Sequence, residues 1–300
     1  MPTVPYREFR LPMADGVNLQ VAEWGAPTAE LTVVLAHGWT LSHRIWEDVA
    51  ESLVAADPTV RVIAYDHRGH GLSDRVNGAT IEQLADDLAS VITALAPTGP
   101  VVLGGHSLGG FTLTAVAERH PQLVAQRVEG VMLAASSAGE LMGAVRRIPG
   151  TEAVMRFALR LGSRIKMPSR PLFLVRQGAR GAFGKHPRRR DLNRVVQQGA
   201  QADPRVVAAL GGSILQHHRY RALEAFQDLE VTVLAGTRDF LTSPTHAHRI
   251  GERLPDSSVV VFRGAGHFLP YERRESVTAH LLGTIGRIRQ RALATAEAIG

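Results

Sequence analysis

The chain has 300 residues, a formal net charge of +6, a pI near 10.4, 45% apolar residues and no cysteine. At about 100–200 residues per domain, this is one large domain or a domain carrying an insertion, with enough apolar content for a substantial core. Charged residues at 21% argue against disorder, and the missing cysteines exclude a disulfide framework, a thiolate nucleophile and any Cys-ligated metal.

Residues 1–10 contain no apolar segment of the signal-peptide kind, and apolar runs such as 31–36 are far too short to span a bilayer. The expected location is therefore cytoplasmic. Residues 18–24 and 31–36 read as strands. Residues 42–56 read as a helix with Ile45, Val49, Leu53 and Val54 along one face. A strand follows at 60–65, then a helix at 80–95 capped by Thr80, a strand at 100–105, and a helix at 108–119 that Pro121 ends. Residues 128–135 form a further strand. Two last strands, 230–235 and 258–262, flank a helix near 244–254, and a helix over 271–298 closes the chain. Strands alternating with helices imply the α/β class: a mostly parallel central sheet flanked by helices on both faces.

Between residues 140 and 227 this alternation stops. Strands of the preceding type are missing there, and the apolar spacing of Val154, Phe157, Ala158 and Leu161 is helical. The expected organisation is a body formed by 1–139 and 228–300, with 140–227 inserted as a helical cap. The charge follows the same division. The insert holds seventeen of the 34 Lys and Arg but only five of the 28 Asp and Glu, a net +12, which leaves the body at −6. Its Arg188-Arg189-Arg190 run is the densest part. Such an insert can be a solvated helical surface, can steer an acidic substrate, or can make peripheral contact with anionic lipid. Nucleic acid is not an expected partner, because the segment has no interleaved aromatics for base stacking and no recognition module.

The strongest chemical signal is Gly105-His106-Ser107-Leu108-Gly109, a G-x-S-x-G motif between an apolar strand and a helix. A sharp strand-to-helix turn crowds the backbone, so only small residues fit around the serine. The turn lifts the hydroxyl above the sheet at a helix N-terminus, where negative charge is favoured.

With this motif the sequence resembles the α/β-hydrolase family, specifically its Ser-nucleophile members with a helical cap, over nearly its whole length. Four further motifs occur in the family's order. His37-Gly38-Trp39 resembles the oxyanion loop. Residues 66–73, Asp-His-Arg-Gly-His-Gly-Leu-Ser, resemble the D-x-R-G-x-G-x-S turn. Gly236-Thr237-Arg238-Asp239 lies where the family places its acid, and Gly264-Ala265-Gly266-His267-Phe268 where it places its histidine.

The resemblance implies a Ser107–His267–Asp239 triad in the chain order of that fold. A serine hydroxyl is a poor nucleophile until a base takes its proton, which is the role of His267. The resulting imidazolium needs an orienting carboxylate, the role of Asp239. Glu140 competes for this role, because some family members place the acid after the preceding strand. The alternative for Asp239 is a salt bridge with Arg238. The tetrahedral oxyanion requires two N–H donors, assigned to the backbones of Leu108 and Trp39. Trp39, Phe240 and Phe268 are the expected substrate-binding side chains.

Other polar residues read as structural. His37, His70 and His106 lie inside motifs as hydrogen-bonding residues, and His43 is expected at the surface. His217 and His218 are expected to pack or be solvated. His246 and His248 stand two apart on a helix, on different faces, so no metal site is expected. Asp66 and Arg68 are expected to hold their turn by an ion pair and backbone bonds.

The implied activity is hydrolysis of a carboxylic ester, as in an esterase or lipase, through an acyl-enzyme. The substrate is a small-molecule or lipid acyl compound and no cofactor is required. The same constellation serves C–C bond hydrolysis and perhydrolysis, and a non-hydrolytic small-molecule receptor can retain it. Dehalogenases and epoxide hydrolases of the family usually carry Asp as nucleophile, so Ser107 argues against both.

Overall fold

The computed structural model describes residues 4–141, 151–165, 167–168, 170 and 172–299. Of the insert's cations, Arg146, Arg147 and Lys166 lie outside the described residues. The strands are β1 (Tyr6–Pro12), β2 (Asn18–Trp24), β3 (Leu31–Ala36), β4 (Val60–Tyr65), β5 (Val101–His106), β6 (Val128–Ala134), β7 (Glu230–Gly236) and β8 (Ser258–Phe262). Among the described residues they make one eight-stranded sheet, ordered β1-β2-β4-β3-β5-β6-β7-β8. From β4 to β8 every pairing is parallel; β2 runs antiparallel to both β1 and β4.

The described helices are α1 (Glu47–Ala56), α2 (Ile81–Leu95), α3 (Leu108–Arg119), α4 (Pro121–Arg127), α5 (Thr151–Gly162), α6 (Leu172–Arg180), α7 (Arg189–Gln201), α8 (Pro204–Gln216), α9 (Pro244–Arg253), α10 (Leu269–Glu272) and α11 (Arg274–Ile299). Every residue of β3, β4 and β5 is buried, because helices cover the sheet on both sides. On one face Val49, Leu53, Leu281 and Ile285 of α1 and α11 pack with Leu35, Val62 and Val102. On the other, Ile81, Leu84, Val116 and Ile250 of α2, α3 and α9 pack with Val34, Ile63 and Leu103. Burying each such side chain contributes about 1.5–3 kcal/mol.

Local sequence explains the element ends. Thr80 caps α2 in a reciprocal box: its hydroxyl accepts from the Gln83 N–H at 3.3 Å, and Gln83 Oε1 accepts from the Thr80 N–H at 3.1 Å. Pro121 ends α3 and also opens α4, where its fixed φ and missing N–H suit the first turn.

Three elements differ from the sequence reading. β1 was not anticipated, because its mostly exposed residues lack a buried face; register with β2 recruits it as an edge strand. The helix expected over 42–56 divides into a 3-10 turn, His43–Ile45, and α1. The break falls at Trp46, whose indole N–H donates to the Ala36 carbonyl at 3.1 Å and pins the chain to β3. The closing helix begins at Arg274, after the separate short turn α10.

Helices α5 to α8 occupy the chain between β6 and β7. Several of their cations are consumed by acids of the body. Arg190 and Arg194 reach Asp48 at 2.8 and 2.9 Å, and Arg194 reaches Glu47 at 3.0 Å. Burial alone would raise the Asp48 carboxyl, but these guanidinium groups hold it below its ordinary range. Arg219 pairs with Glu82 and Glu118. Part of the insert's charge therefore fastens the insert to the body. No described helix is long and apolar enough to cross a membrane.

Candidate active site

The C-terminal ends of β3, β5, β7 and β8 lead into the loops that carry the residues of interest, the usual place for ligands in a parallel sheet. Ser107 follows β5 at φ 53°, ψ −116°, a conformation uncommon for a residue with a side chain. Its neighbours explain the glycines of the motif. A Cβ on Gly105 would lie 2.5 Å from the Gly110 nitrogen, and one on Gly109 would lie 2.1 Å from the Ala36 carbonyl oxygen. The turn closes only with glycine at both positions, and it presents Ser107 at the N-terminus of α3.

After β7, Asp239 is buried and accepts four hydrogen bonds. The N–H groups of Leu241 and Thr242 donate to Oδ1 at 2.9 and 3.0 Å. The Thr242 hydroxyl and His267 Nδ1–H donate to Oδ2 at 2.7 and 2.8 Å. Burial would raise the carboxyl, but the charge and hydrogen bond of His267 together with the Thr242 bonds outweigh it and hold the pKa at about 2. Asp239 is thus a fixed anion against one nitrogen of His267, which leaves Nε2 as the exchangeable position.

His267 stands on a loop fastened on several sides. Its N–H donates to the Ala182 carbonyl at 2.8 Å, and its own carbonyl accepts from His106 Nε2–H at 2.8 Å. Glu272 gathers the N–H groups of Gly184, Gly266 and Phe268 at 2.7, 3.0 and 3.1 Å. The His106 and His267 rings lie 5.0 Å apart. Since His106 immediately precedes Ser107, the strained turn and the His267 loop are neighbours. Burial and the nearby His267 hold His106 neutral, with a pKa lowered to about 3.

The loop after β3 closes the third side. A Cβ on Gly38 would sit 2.7 Å from His106 Nδ1 and 3.2 Å from Ser107 Cβ. His37 fixes this loop through both ring nitrogens: Nδ1–H donates to the Gly38 carbonyl at 2.8 Å, and Nε2 accepts from the His67 N–H at 2.9 Å. Nε2–H of His67 donates back to the His37 carbonyl at 3.0 Å. Burial keeps both rings neutral, lowering His67 to about 3 and His37 well below its ordinary value. Among the described residues, no protein acceptor takes the backbone N–H of Trp39 or of Leu108. Both remain available to an external oxygen.

Of the expected substrate-contacting side chains, Trp39 and Phe240 are 36% and 66% exposed, whereas Phe268 is 8% exposed. The Trp39 indole donates to the Val207 carbonyl of α8 at 3.0 Å, joining the loop to the insert. The Phe268 ring centroid lies 4.5 Å from that of Phe183, so that side chain helps support the histidine loop.

Other expectations meet their outcomes here. Glu140 bonds to Arg249 at 3.0 Å and lies 3.6 Å from His218; it is not a partner of His267. His43 is buried, contrary to its expected surface position, and its Nδ1–H donates to Asp66 at 2.8 Å. Asp66 does not pair with Arg68. It accepts from the N–H groups of His43 and Leu72, while Arg68 forks onto Asp87 at 2.6 and 2.8 Å. The Asp66 carboxylate, the Ser73 hydroxyl and backbone bonds hold the turn at 66–73, while Arg68 ties it to α2 and to Asp15. His217 stacks on Phe111 at 4.6 Å. His246 is buried on Ser137 at 2.9 Å, whereas His248 is exposed; no group of metal-ligating side chains occurs among the described residues. Thr242, His106 as a bridge and Glu272 were not anticipated. The D-x-x-T spacing from Asp239 could have pointed to Thr242, since a carboxylate accepts from N–H groups two and three residues on. Nothing local foretells Glu272.

A sheet of this order, with a serine turn after β5 and a carboxylate–histidine pair after β7 and β8, defines an α/β hydrolase. The alpha/beta hydrolase family model matches residues 33–280, and the chain belongs to that family. It is 38% identical over 116 residues to a non-heme chloroperoxidase of Streptomyces lividans, a match covering 38% of this chain and 41% of that relative. It is 37% identical over 108 residues to a bifunctional esterase/perhydrolase of Acinetobacter calcoaceticus, covering 36% and 38%. The matches thus span about two fifths of these curated relatives. An esterase structure from Thermogutta terrifontis superposes with a TM-score of 0.75 at 24% identity, covering 94% of this chain and 99% of that one.

Proposed function

We propose that the protein is a serine hydrolase that cleaves a carboxylic ester through an acyl-enzyme. The observation that carries this reading is the buried Asp239–His267 pair at 2.8 Å beside a serine held at φ 53° on a helix N-terminus. Ser107 Oγ attacks the ester carbonyl while His267 takes its proton. The N–H groups of Trp39 and Leu108 hold the oxyanion, each such donor contributing about 2.7–4 kcal/mol to the transition state. The C–O bond then breaks and the alcohol leaves with the proton from His267. Water, deprotonated by His267, attacks the acyl carbonyl and releases the acid and free Ser107.

In this reading residues 1–139 and 228–300 are the hydrolase body and 140–227 the cap. Trp39, Phe240 and Phe268 shape the acyl side of the site. The substrate is a small-molecule or lipid acyl ester, and the reaction takes place in the cytoplasm without a cofactor.

The curated relatives support a second outcome of the same intermediate. Hydrogen peroxide in place of water would attack the acyl-enzyme and release a peracid. The test is hydrolysis of p-nitrophenyl esters of increasing chain length, with and without peroxide. We expect turnover that is absent in Ser107→Ala. Peracid formation dependent on Ser107 would add perhydrolysis. Turnover unchanged in Ser107→Ala would overturn the proposal.

A further inference from the structure

A cavity of about 560 Å³ lies between the chain entering α7 and the segment joining β8 to α11, sharing Phe183, Gly264 and Glu272 with the support of the His267 loop. Neither Ser107, Asp239, Trp39 nor His267 lines it. Its wall carries Lys185, Arg188, Arg263, Arg273 and Arg274. The acids there are engaged or remote, except that Asp191 Oδ1 is buried without a partner among the described residues. Glu272 holds the N–H groups of Gly184, Gly266 and Phe268, Asp191 takes Arg188 at 2.8 Å, and Glu275 lies 3.7 Å from Arg274 with its side chain 93% exposed. Among the described residues, no carboxylate lies within ion-pair reach of Lys185 or Arg263, and the Arg273 guanidinium donates only to the carbonyls of Glu272 and Arg263.

A second hollow of about 360 Å³ adjoins it, the two sharing Pro187, and is lined by Arg176, Arg180 and Arg189. Among the described residues these three also have no carboxylate partner, although Arg176 bonds to Asn193 at 3.3 Å. Other cations without a carboxylate partner among the described residues, such as Arg44, Arg221 and Arg238, line neither hollow, and elsewhere single carboxylates gather several cations. Arg190, Arg194 and Arg274 converge on Asp48, and Arg287 and Arg291 both reach Glu230 at 2.7 Å. Six unpaired cations gathered around a concavity repel one another and destabilise the folded state unless an anion joins them.

We propose that this paired hollow binds a phosphorylated ligand carrying at least two anionic groups. Guanidinium forks match phosphate oxygens in pairs, and the spread of the cations over two connected hollows favours a ligand with separated charges over a single small anion. The ligand is either a soluble polyphosphorylated compound or a lipid headgroup of the same chemistry. The site does not depend on the Ser107 reaction, so it is testable in Ser107→Ala protein.

The probes are inorganic pyrophosphate by calorimetry and thermal unfolding, and vesicles of phosphatidylcholine with or without phosphatidylinositol bisphosphate by co-sedimentation. All are compared at matched ionic strength. Pyrophosphate is expected to bind and raise the unfolding temperature, because a ligand of the native state stabilises it. Lys185→Ser/Arg263→Ser should weaken this at least tenfold while leaving ester hydrolysis unchanged. Arg221→Ser/Arg253→Ser removes the same charge elsewhere and should leave binding intact. Bisphosphate vesicles that bind and are displaced by pyrophosphate identify a headgroup as the source. Pyrophosphate binding without vesicle binding identifies a soluble ligand. Failure of both probes to bind, or equal weakening by the two double variants, would overturn the proposal.

Discussion

The strand-end loops of the body and the helices of the insert use polar groups in opposite ways. In the loops the groups that set the site are engaged: Asp239 accepts four bonds, His37 uses both ring nitrogens, and Glu272 gathers three N–H groups, while His67 Nδ1, His70 Nε2 and His106 Nδ1 are buried without a partner among the described residues. In and beside the insert, Arg176, Arg180, Lys185 and Arg189 have no carboxylate partner among the described residues. Val154, Phe157 and Leu161 of α5 are exposed. The first pattern fixes atoms in place, as chemistry on a reacting carbonyl requires. The second leaves groups available for something outside the chain. In the proposed reading, catalysis belongs to the hydrogen-bonded frame and ligand recognition to the surface with unpaired cations.

The largest test of this division is kinetic. Ser107→Ala should lower kcat by roughly 10⁶, and Asp239→Asn by roughly 10⁴ through loss of the correct histidine tautomer. Glu140→Gln should leave kcat unchanged, since its carboxylate faces Arg249. If Glu140→Gln abolished turnover and Asp239→Asn did not, the acid would be misassigned.

Acid stability probes the buried histidines of both regions next. His67, His106 and His217 are each lowered to about 3, mainly by burial. The folded protein therefore binds fewer protons than the unfolded chain, so stability is full above the unfolded value and is lost as pH falls from about 6.5 towards 3. Each group removes about 1.4 kcal/mol per pH unit in that window. Urea unfolding at several pH values should show this slope, and His217→Gln should reduce it by one proton. A flat profile from pH 6.5 to 4.5 would contradict the buried neutral histidines.

Gly109→Ala should cost about 3 kcal/mol in urea unfolding, because its Cβ would meet the Ala36 carbonyl. Lys185→Ser, which removes one of the mutually repelling cations, should leave stability unchanged or slightly raised by the same measurement. A modest effect is expected at the junction of the two regions. Trp39→Phe removes the indole bond to Val207 and should cost about 1 kcal/mol, with KM changing more than kcat. An unchanged KM would separate Trp39 from the substrate side of the site.

The sequence made the frame of the sheet legible, because fully apolar strands such as 60–65 and a capped helix such as 80–95 carry their own signals. It also singled out Ser107, Asp239 and His267, since each follows a strand in a motif with glycine. What it could not reveal depends on partners distant in the chain. β1 exists through pairing with β2, and His43 is buried because Asp66 lies 23 residues on. Glu272 acts on a loop whose shape only the fold defines, and the unpaired state of Arg263 or Lys185 is a spatial property invisible to composition. Among the described residues, some cations of the insert fasten it to Asp48, Glu47, Glu82 and Glu118, Arg188 and Arg205 pair with Asp191 and Asp203 within it, and Arg176, Arg180, Lys185 and Arg189 have no carboxylate partner.

The central claim is that Ser107 is an activated nucleophile dependent on His267 and Asp239. Treatment of the folded protein with a fluorophosphonate, followed by intact mass and peptide mapping, tests this directly. The account predicts one adduct per chain, located on Ser107, lost in Ser107→Ala and strongly slowed in Asp239→Asn. An unlabelled wild-type protein, or an adduct on any other residue, would contradict it.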